Sequence, residues 1–464
     1  MKKYIKLCVL ILLVVFTLFL IIIRFYNNEE EIEKETVGKY KLTISKDEDD
    51  IDEQVNIRVL IMTDNFEEIF HSKVWLKCDS DYKIIYGEKE KIISGGKVTK
   101  INTKSGYLKK GKVKIVPVNA SDKIQILSVE RKYGNPKYTG SIELSLTDNQ
   151  ILITNELSLE EYLYGVVPSE MPSNYGQTAL MVQAICARTY AYRQVLNNSY
   201  KKYNAHVDDS VNYQVYNNEM GTEEATKAVD ATKGIIMTYD DEPINALFFS
   251  TSCGCTTLAD IWGSDNFPYI KSVYLGDKKG PDLSDEETFD EFIRKKSDTY
   301  DKDYSLYRWS VTMSADEVSY SVNKTLPHID NVKRTYVGEV TDIEVIKRGS
   351  GGVLKAIKVK GTEGSVTVKL QGNIRKLFDI SNCNLENNNG ELTEGFAMLP
   401  SGCFVVDKVV KDGKLYFEFI GGGFGHGVGM SQNATRTMAE QGMKYEEILK
   451  FFYKDIEVKN MYES

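Results

Sequence analysis

Histidine is scarce in this sequence, with four residues in 464. Neither Cys-x-x-Cys nor His-Glu-x-x-His occurs, so no metal site and no other cofactor is expected. No Gly-x-Ser-x-Gly elbow is present, which removes the common serine-hydrolase arrangement. Positive charge is not in excess: the formal net charge is −9, and residues 1–28 carry basic side chains and no acidic ones, so the remainder is more acidic still. A surface of that sign does not bind nucleic acid through general electrostatics. Internal repeats are lacking, and so is a disulfide framework. Cys8 and Cys186 read as packing residues, and Cys253 and Cys255 are too close for an unstrained bond. Cys78, Cys253, Cys255, Cys383 and Cys403 define no pairing.

What is present is the composition of a globular chain, 42% hydrophobic and 27% charged, with 29 tyrosines. The length suits about two or three domains. Residues 1–6 carry Lys2, Lys3 and Lys6. They precede an apolar run at 7–23, broken by Thr17 and closed by Arg24. This reads as an uncleaved transmembrane signal anchor, with residues 1–6 cytoplasmic and the rest outside the cell membrane. A cleaved signal peptide is the competing reading. A polar stalk at 27–54 follows.

Alternating runs at 56–62, 73–78, 112–116, 123–129, 141–146 and 150–154 predict a β-rich region over 55–139 that continues past it. Ser158-Leu159-Glu160-Glu161 is a capping box, and Gly165 marks the expected end of that helix. A long helix is predicted over 176–196 and terminal helices over 431–440 and 445–453, separated by Gly442. A strand is predicted at 244–250, and strand patterns return at 340–347, 353–359 and 365–370. The charged stretch 278–303 reads as an exposed insert.

Three features stand out chemically. Glu170 lies between Pro168 and Pro172 in an apolar segment. A carboxyl on a rigid, apolar bend is desolvated and holds its proton toward neutral pH, as a general acid must. The plainer reading is a solvated turn. Arg188 falls within the apolar stripe of the long helix, where a guanidinium needs an anionic partner or ligand, unless it snorkels to the edge. Finally, Gly421-Gly422-Gly423-Phe424-Gly425-His426-Gly427-Val428-Gly429 is a glycine loop presenting one imidazole ahead of a helix that starts at Ser431. It has no phosphate-loop register. His426 is open to a site role or to a backbone-bonding structural role.

Three segments together resemble the stage II sporulation protein D family, which shares a domain with the amidase enhancers. They are Glu170-Met171-Pro172 with Ala184-Ile185-Cys186-Ala187-Arg188-Thr189-Tyr190-Ala191; Phe249-Ser250-Thr251-Ser252 with Trp262 and Pro268-Tyr269-Ile270-Lys271-Ser272-Val273; and Gly425-His426-Gly427-Val428-Gly429-Met430-Ser431-Gln432. The matched region runs over about 140–464. The resemblance implies a peptidoglycan lytic transglycosylase, an enzyme that cleaves glycan strands denuded of stem peptides and leaves 1,6-anhydro-muramic acid ends. It implies Glu170 as general acid and base, with Arg188, Tyr269 and Lys271 supporting it. Gln214, Tyr216, Ser250, His426, Ser431 and Gln432 are implied at the substrate cleft. Some members hold zinc just before the Gln-Val-Tyr segment. Here Val211-Asn212-Tyr213 stand there, so none is expected.

The expected fold is α+β: a β-rich, membrane-anchored ectodomain with the long helix and terminal helices around an open glycan-binding groove. Trp262, Tyr269 and Tyr216 are candidates to stack on sugar rings. The expected role is engulfment during sporulation, or cell-wall remodelling. Expected partners are a cell-wall amidase and other engulfment-type membrane proteins. The alternative is a non-catalytic wall-binding protein that recruits or enhances an N-acetylmuramoyl-L-alanine amidase.

Overall fold

The computed structural model describes residues 55–217, 221–263, 266–277 and 279–463. The expected cytoplasmic end, anchor and stalk fall outside the described residues. Within them no helix is long and apolar enough to cross a membrane.

A seven-stranded sheet carries the first core. Its order is Val207–Asp208, Asn56–Leu60, Gln150–Ser158, Ser141–Thr147, Val113–Pro117, Tyr82–Tyr86 and Lys89–Ile93. Strand pairing is antiparallel except at Val207–Asp208. The sheet takes strands from both sides of residues 139 and 140, so these two segments share one core. A four-stranded sheet, with Lys73–Cys78 and Ile124–Ile126 at its centre, contributes Val74, Leu76, Ile124 and Ile126 to that core. The alternation seen in the sequence has a direct cause: in Lys73–Cys78 every second side chain points into the core, and the intervening Lys73 and Trp75 point outward.

Two helices close this layer. Helix α1 (Leu159–Glu170) starts at Ser158, whose hydroxyl accepts from the Glu161 amide while the Glu161 carboxylate accepts from the Ser158 amide. It does not stop at Gly165. It runs through Pro168 and ends at Glu170. Gly165 is there for packing: a Cβ on it would lie 2.6 Å from a ring carbon of Tyr216. Helix α2 (Gln177–Asn197) is buried on two faces. Leu180, Ala184, Ala187 and Ala191 meet the sheet core, and Val182, Ile185 and Cys186 meet a second core. Helix α3 (Glu223–Ala231) packs beside both.

The second core gathers Ile261, Tyr269, Ile270, Met430, Phe452 and Tyr453. The stretch read as an exposed insert joins it. Helix α4 (Glu286–Ile293), capped by Asp285, buries Phe289, Phe292 and Ile293, and Asp301 is fully buried. The expected strand over 244–250 shrinks to Phe248–Phe249, which pairs in parallel with Met430–Ser431.

A third core fills residues 309–419. Trp309–Ser314 is the central strand of a five-stranded sheet, and Val340–Arg348, Leu354–Gly361 and Gly364–Lys369 form a three-stranded one. Helices α5 (Ala315–Thr325) and α6 (Gln371–Lys376) belong to this region. Helices α7 (Gln432–Glu440) and α8 (Tyr445–Phe452) return to the second core. The result is α+β, as the sequence implies.

Candidate active site

A cleft of about 540 Å³ lies where segments of all three regions meet. Its lining includes Glu170 from the end of α1, Tyr190 from α2, and Tyr213. Phe249, Ser250 and Trp262 come from the second segment, Gln371 and Arg375 from α6, and His426 and Gln432 from the glycine loop and α7.

Glu170 is placed by the termination of α1. Met171 adopts extended angles and Pro172 follows, so the helix stops and the last side chain is presented at the cleft. The amide of Val215 donates to Glu170 Oε1 at 2.6 Å, and Oε2 has no partner among the described residues. Burial pushes the carboxyl up to about 7, against the smaller opposing effect of the Val215 amide. Glu170 is also the sole acidic residue among the described lining residues.

The glycine loop brings the imidazole close. Gly429 has φ +80°, and a Cβ there would sit 2.0 Å from the Leu247 carbonyl oxygen, so the loop can only approach this backbone without a side chain. His426 Nδ1 accepts from the Val428 amide at 3.1 Å, which leaves the proton on Nε2 for the Phe248 backbone. Its ring packs near Trp262 and Phe249. Burial lowers its pKa to about 4, so the imidazole is neutral at physiological pH. Trp262 is 42% exposed, an open aromatic face at the cleft.

Gln432 ties the third segment to the first. Its Nε2 donates to the Glu170 carbonyl at 2.9 Å and to Gln183 Oε1 at 3.2 Å. Ser250 also lines the cleft, and its carbonyl accepts from the Asn433 amide. Ser431 is buried beneath the cleft. It caps α7 and donates to Asp301 at 3.0 Å. Asp301 accepts from the hydroxyl and amide of Ser252 as well. Burial raises its pKa to about 7. It thus joins the second and third segments, and no motif in its charged surroundings marks it.

Several expected site residues lie elsewhere. Arg188 is wholly buried and forms a bidentate pair with Glu160, 2.8 Å on each side. It also donates to the carbonyls of Val229 and Ile235. The anionic partner required by its burial is therefore a protein carboxylate, not a ligand. Tyr269 belongs to the second core, stacked on Phe267, with its hydroxyl accepting from the Asn245 amide. Lys271 is exposed and lines a different cavity, with Cys255 and Lys454. Gln214 is fully buried and donates to the Ala187 carbonyl. Its neighbour Val215, rather than Gln214 itself, touches Glu170. Tyr216 is packed between Tyr138 and Tyr162 and donates to Asn155, so its ring offers no face to a sugar. Arg375, Gln371, Tyr190 and Tyr213 line the cleft without having been expected as site residues; Tyr190 and Tyr213 lie within segments singled out in the sequence, and Arg375 and Gln371 do not. Arg375 and Gln371 come from a short helix with no distinctive motif.

The sequence model of a family described as "Stage II sporulation protein" matches residues 147–239, and that of a domain of unknown function matches residues 256–429. The stage II sporulation protein D of Bacillus amyloliquefaciens is 30% identical over 318 residues, covering 65% of this chain and 74% of that protein. That of Bacillus subtilis is 29% identical over 333 residues, covering 68% and 78%. The amidase enhancer of Bacillus subtilis is 28% identical over 295 residues, which is 63% of this chain and 39% of that protein.

Proposed function

The chain belongs to the stage II sporulation protein D family, and on that premise we propose that it is a peptidoglycan lytic transglycosylase acting on denuded glycan strands. The observation that carries this reading is Glu170: the sole acid among the described lining residues of the cleft, with one oxygen fixed by an amide, no partner for the other among the described residues, and a pKa near neutrality. Hydrolytic glycosidases commonly need a second carboxylate, either to activate water or to act as nucleophile. A lytic transglycosylase does not, because the substrate supplies the nucleophile.

Glu170 starts protonated. Its proton passes to the glycosidic oxygen as the bond from the muramic acid C1 breaks, giving a leaving sugar with a free hydroxyl. The C6 hydroxyl of the same muramic acid attacks C1, and the Glu170 carboxylate takes the hydroxyl proton. The 1,6-anhydro ring closes and Glu170 is protonated again. Val215 holds Oε1, so Oε2, which has no partner among the described residues, is the atom placed to exchange the proton. Neutral His426 does not compete for that proton, and it shapes the cleft wall with Trp262. The exposed indole suits the apolar face of a sugar ring. On this reading residues 7–23 anchor the chain in the cell membrane with the described region outside. It works in engulfment or wall remodelling, beside a wall amidase and other engulfment-type membrane proteins.

A second reading is a wall-binding protein that recruits or enhances an amidase. It is favoured by the similarity to an amidase enhancer and by the placement of Arg188, Tyr269 and Lys271 away from the cleft lining. The two readings part on one experiment. The purified full chain is incubated with denuded glycan and the products are examined by mass spectrometry. Anhydro-ended fragments support the enzyme, and retention of uncut strands supports the binder.

A further inference from the structure

Arg375 is the sole Lys or Arg among the described lining residues of the cleft. Arginines buried in this fold are held by acids: Arg131 by Asp209, Arg188 by Glu160 and Arg348 by Glu286. Arg375 is half-buried and has no such partner among the described residues. Its Nε donates to the Leu399 carbonyl at 2.8 Å, and its two Nη groups have no hydrogen-bond partner among the described residues. Burial lowers its pKa to about 10, which still leaves it charged at neutral pH. A desolvated guanidinium whose terminal nitrogens are unpaired among the described residues fits an anionic ligand, and its planar fork fits a carboxylate above all. Its position is set by α6, which Gln371 ties to the site loop through a 3.3 Å bond to the His426 carbonyl.

We propose that Arg375 is a carboxylate anchor that binds the lactyl group of a muramic acid in the bound strand and thereby selects glycan stripped of stem peptide. The proposal rests on the glycan reading above. In that polymer the lactyl carboxyl is an amide when the peptide is attached and a free anion when it is removed. Its charge therefore reports the peptide's absence. Arg375 is a specificity residue on this account, and the proton transfers remain with Glu170.

The test uses the full chain carrying Glu170→Gln, so that no substrate is consumed. Binding is measured for a denuded glycan oligomer and for the same oligomer with its lactyl carboxyls converted to methylamides. The free-acid form should bind about tenfold to a hundredfold more tightly, the range expected for a charge-assisted hydrogen-bonded pair. Adding Arg375→Gln should abolish the difference, and Arg375→Lys should retain part of it. Because Arg375→Gln also removes the bond to Leu399, a second measurement uses no Arg375 variant. Added salt should weaken binding of the free-acid oligomer more than that of the methylamide. Equal binding of both oligomers, no binding of either, or a preference that survives Arg375→Gln overturns the proposal. Failure of the enzyme reading looks different. A chain that prefers the free acid but releases no anhydro product keeps this anchor and loses the enzyme. A chain that cleaves both forms equally does the reverse.

Discussion

Glu170 owes its raised pKa to its placement. Desolvation raises its pKa to about 7, and the Val215 amide fixes one oxygen. In the proposed mechanism the acid form starts the reaction, so kcat/KM on denuded glycan should be level below about pH 7 and fall above it. A profile that keeps rising through pH 8 would contradict the assignment. The same shift acts on stability. A carboxyl with a folded pKa above its unfolded value stabilises fully below the unfolded value, and that contribution disappears as pH rises through the folded one. Glu170→Gln should therefore be more stable than the parent chain at pH 8, by about 1–3 kcal/mol, and near equally stable at pH 4. Differential scanning calorimetry at the two pH values checks it. The sequence made Glu170 visible because a lone carboxyl between prolines is unusual. It did not make its setting visible. Pro168 reads as a break, yet it sits in the last turn of α1, and Gly165 reads as a stop, yet it is a close-packing position against Tyr216.

At the scale of elements, burial turned out to be structural as often as functional. Arg188 on the apolar stripe of α2 holds Glu160 on α1 and so fastens the two helices together. Removing one partner of a buried pair leaves the other uncompensated, so Arg188→Ala should cost about 3–5 kcal/mol in urea unfolding. Any loss of glycan cleavage should follow the unfolded fraction. A folded Arg188→Ala chain with no activity would instead place Arg188 in the reaction. Asp301 links Ser252 to Ser431 in the same structural sense, and Asp301→Ala should destabilise by about 1–3 kcal/mol through stranded donors. Intact denaturation midpoints would refute that role. Helix and strand periodicities were legible because each element has one clear inner face, as in Lys73–Cys78. The segment with Asp301 was not, since its many charges conceal the few residues of 278–303 that turn inward, Phe289, Phe292, Ile293 and Asp301 among them.

At the scale of the whole molecule, the cleft exists because three distant stretches converge: the end of α1, the Phe249–Trp262 segment with the glycine loop, and α6 from the third core. Motifs in the sequence marked the first two. The third brings Arg375 and Gln371, whose position at the cleft depends on tertiary placement alone. The described region contains its own cores, so a chain beginning at Val55 should fold and give the same products as the full chain. A truncated chain that aggregates or melts without a cooperative transition would contradict this. The central claim is that one carboxyl performs both proton transfers with the sugar's own hydroxyl as nucleophile. Its most direct test is mass spectrometry of denuded glycan digested in H₂¹⁸O by the full chain and by Glu170→Gln. The account predicts 1,6-anhydro ends without ¹⁸O from the parent chain and none from Glu170→Gln. Reducing ends carrying ¹⁸O, or anhydro products from Glu170→Gln at the parent rate, would contradict it.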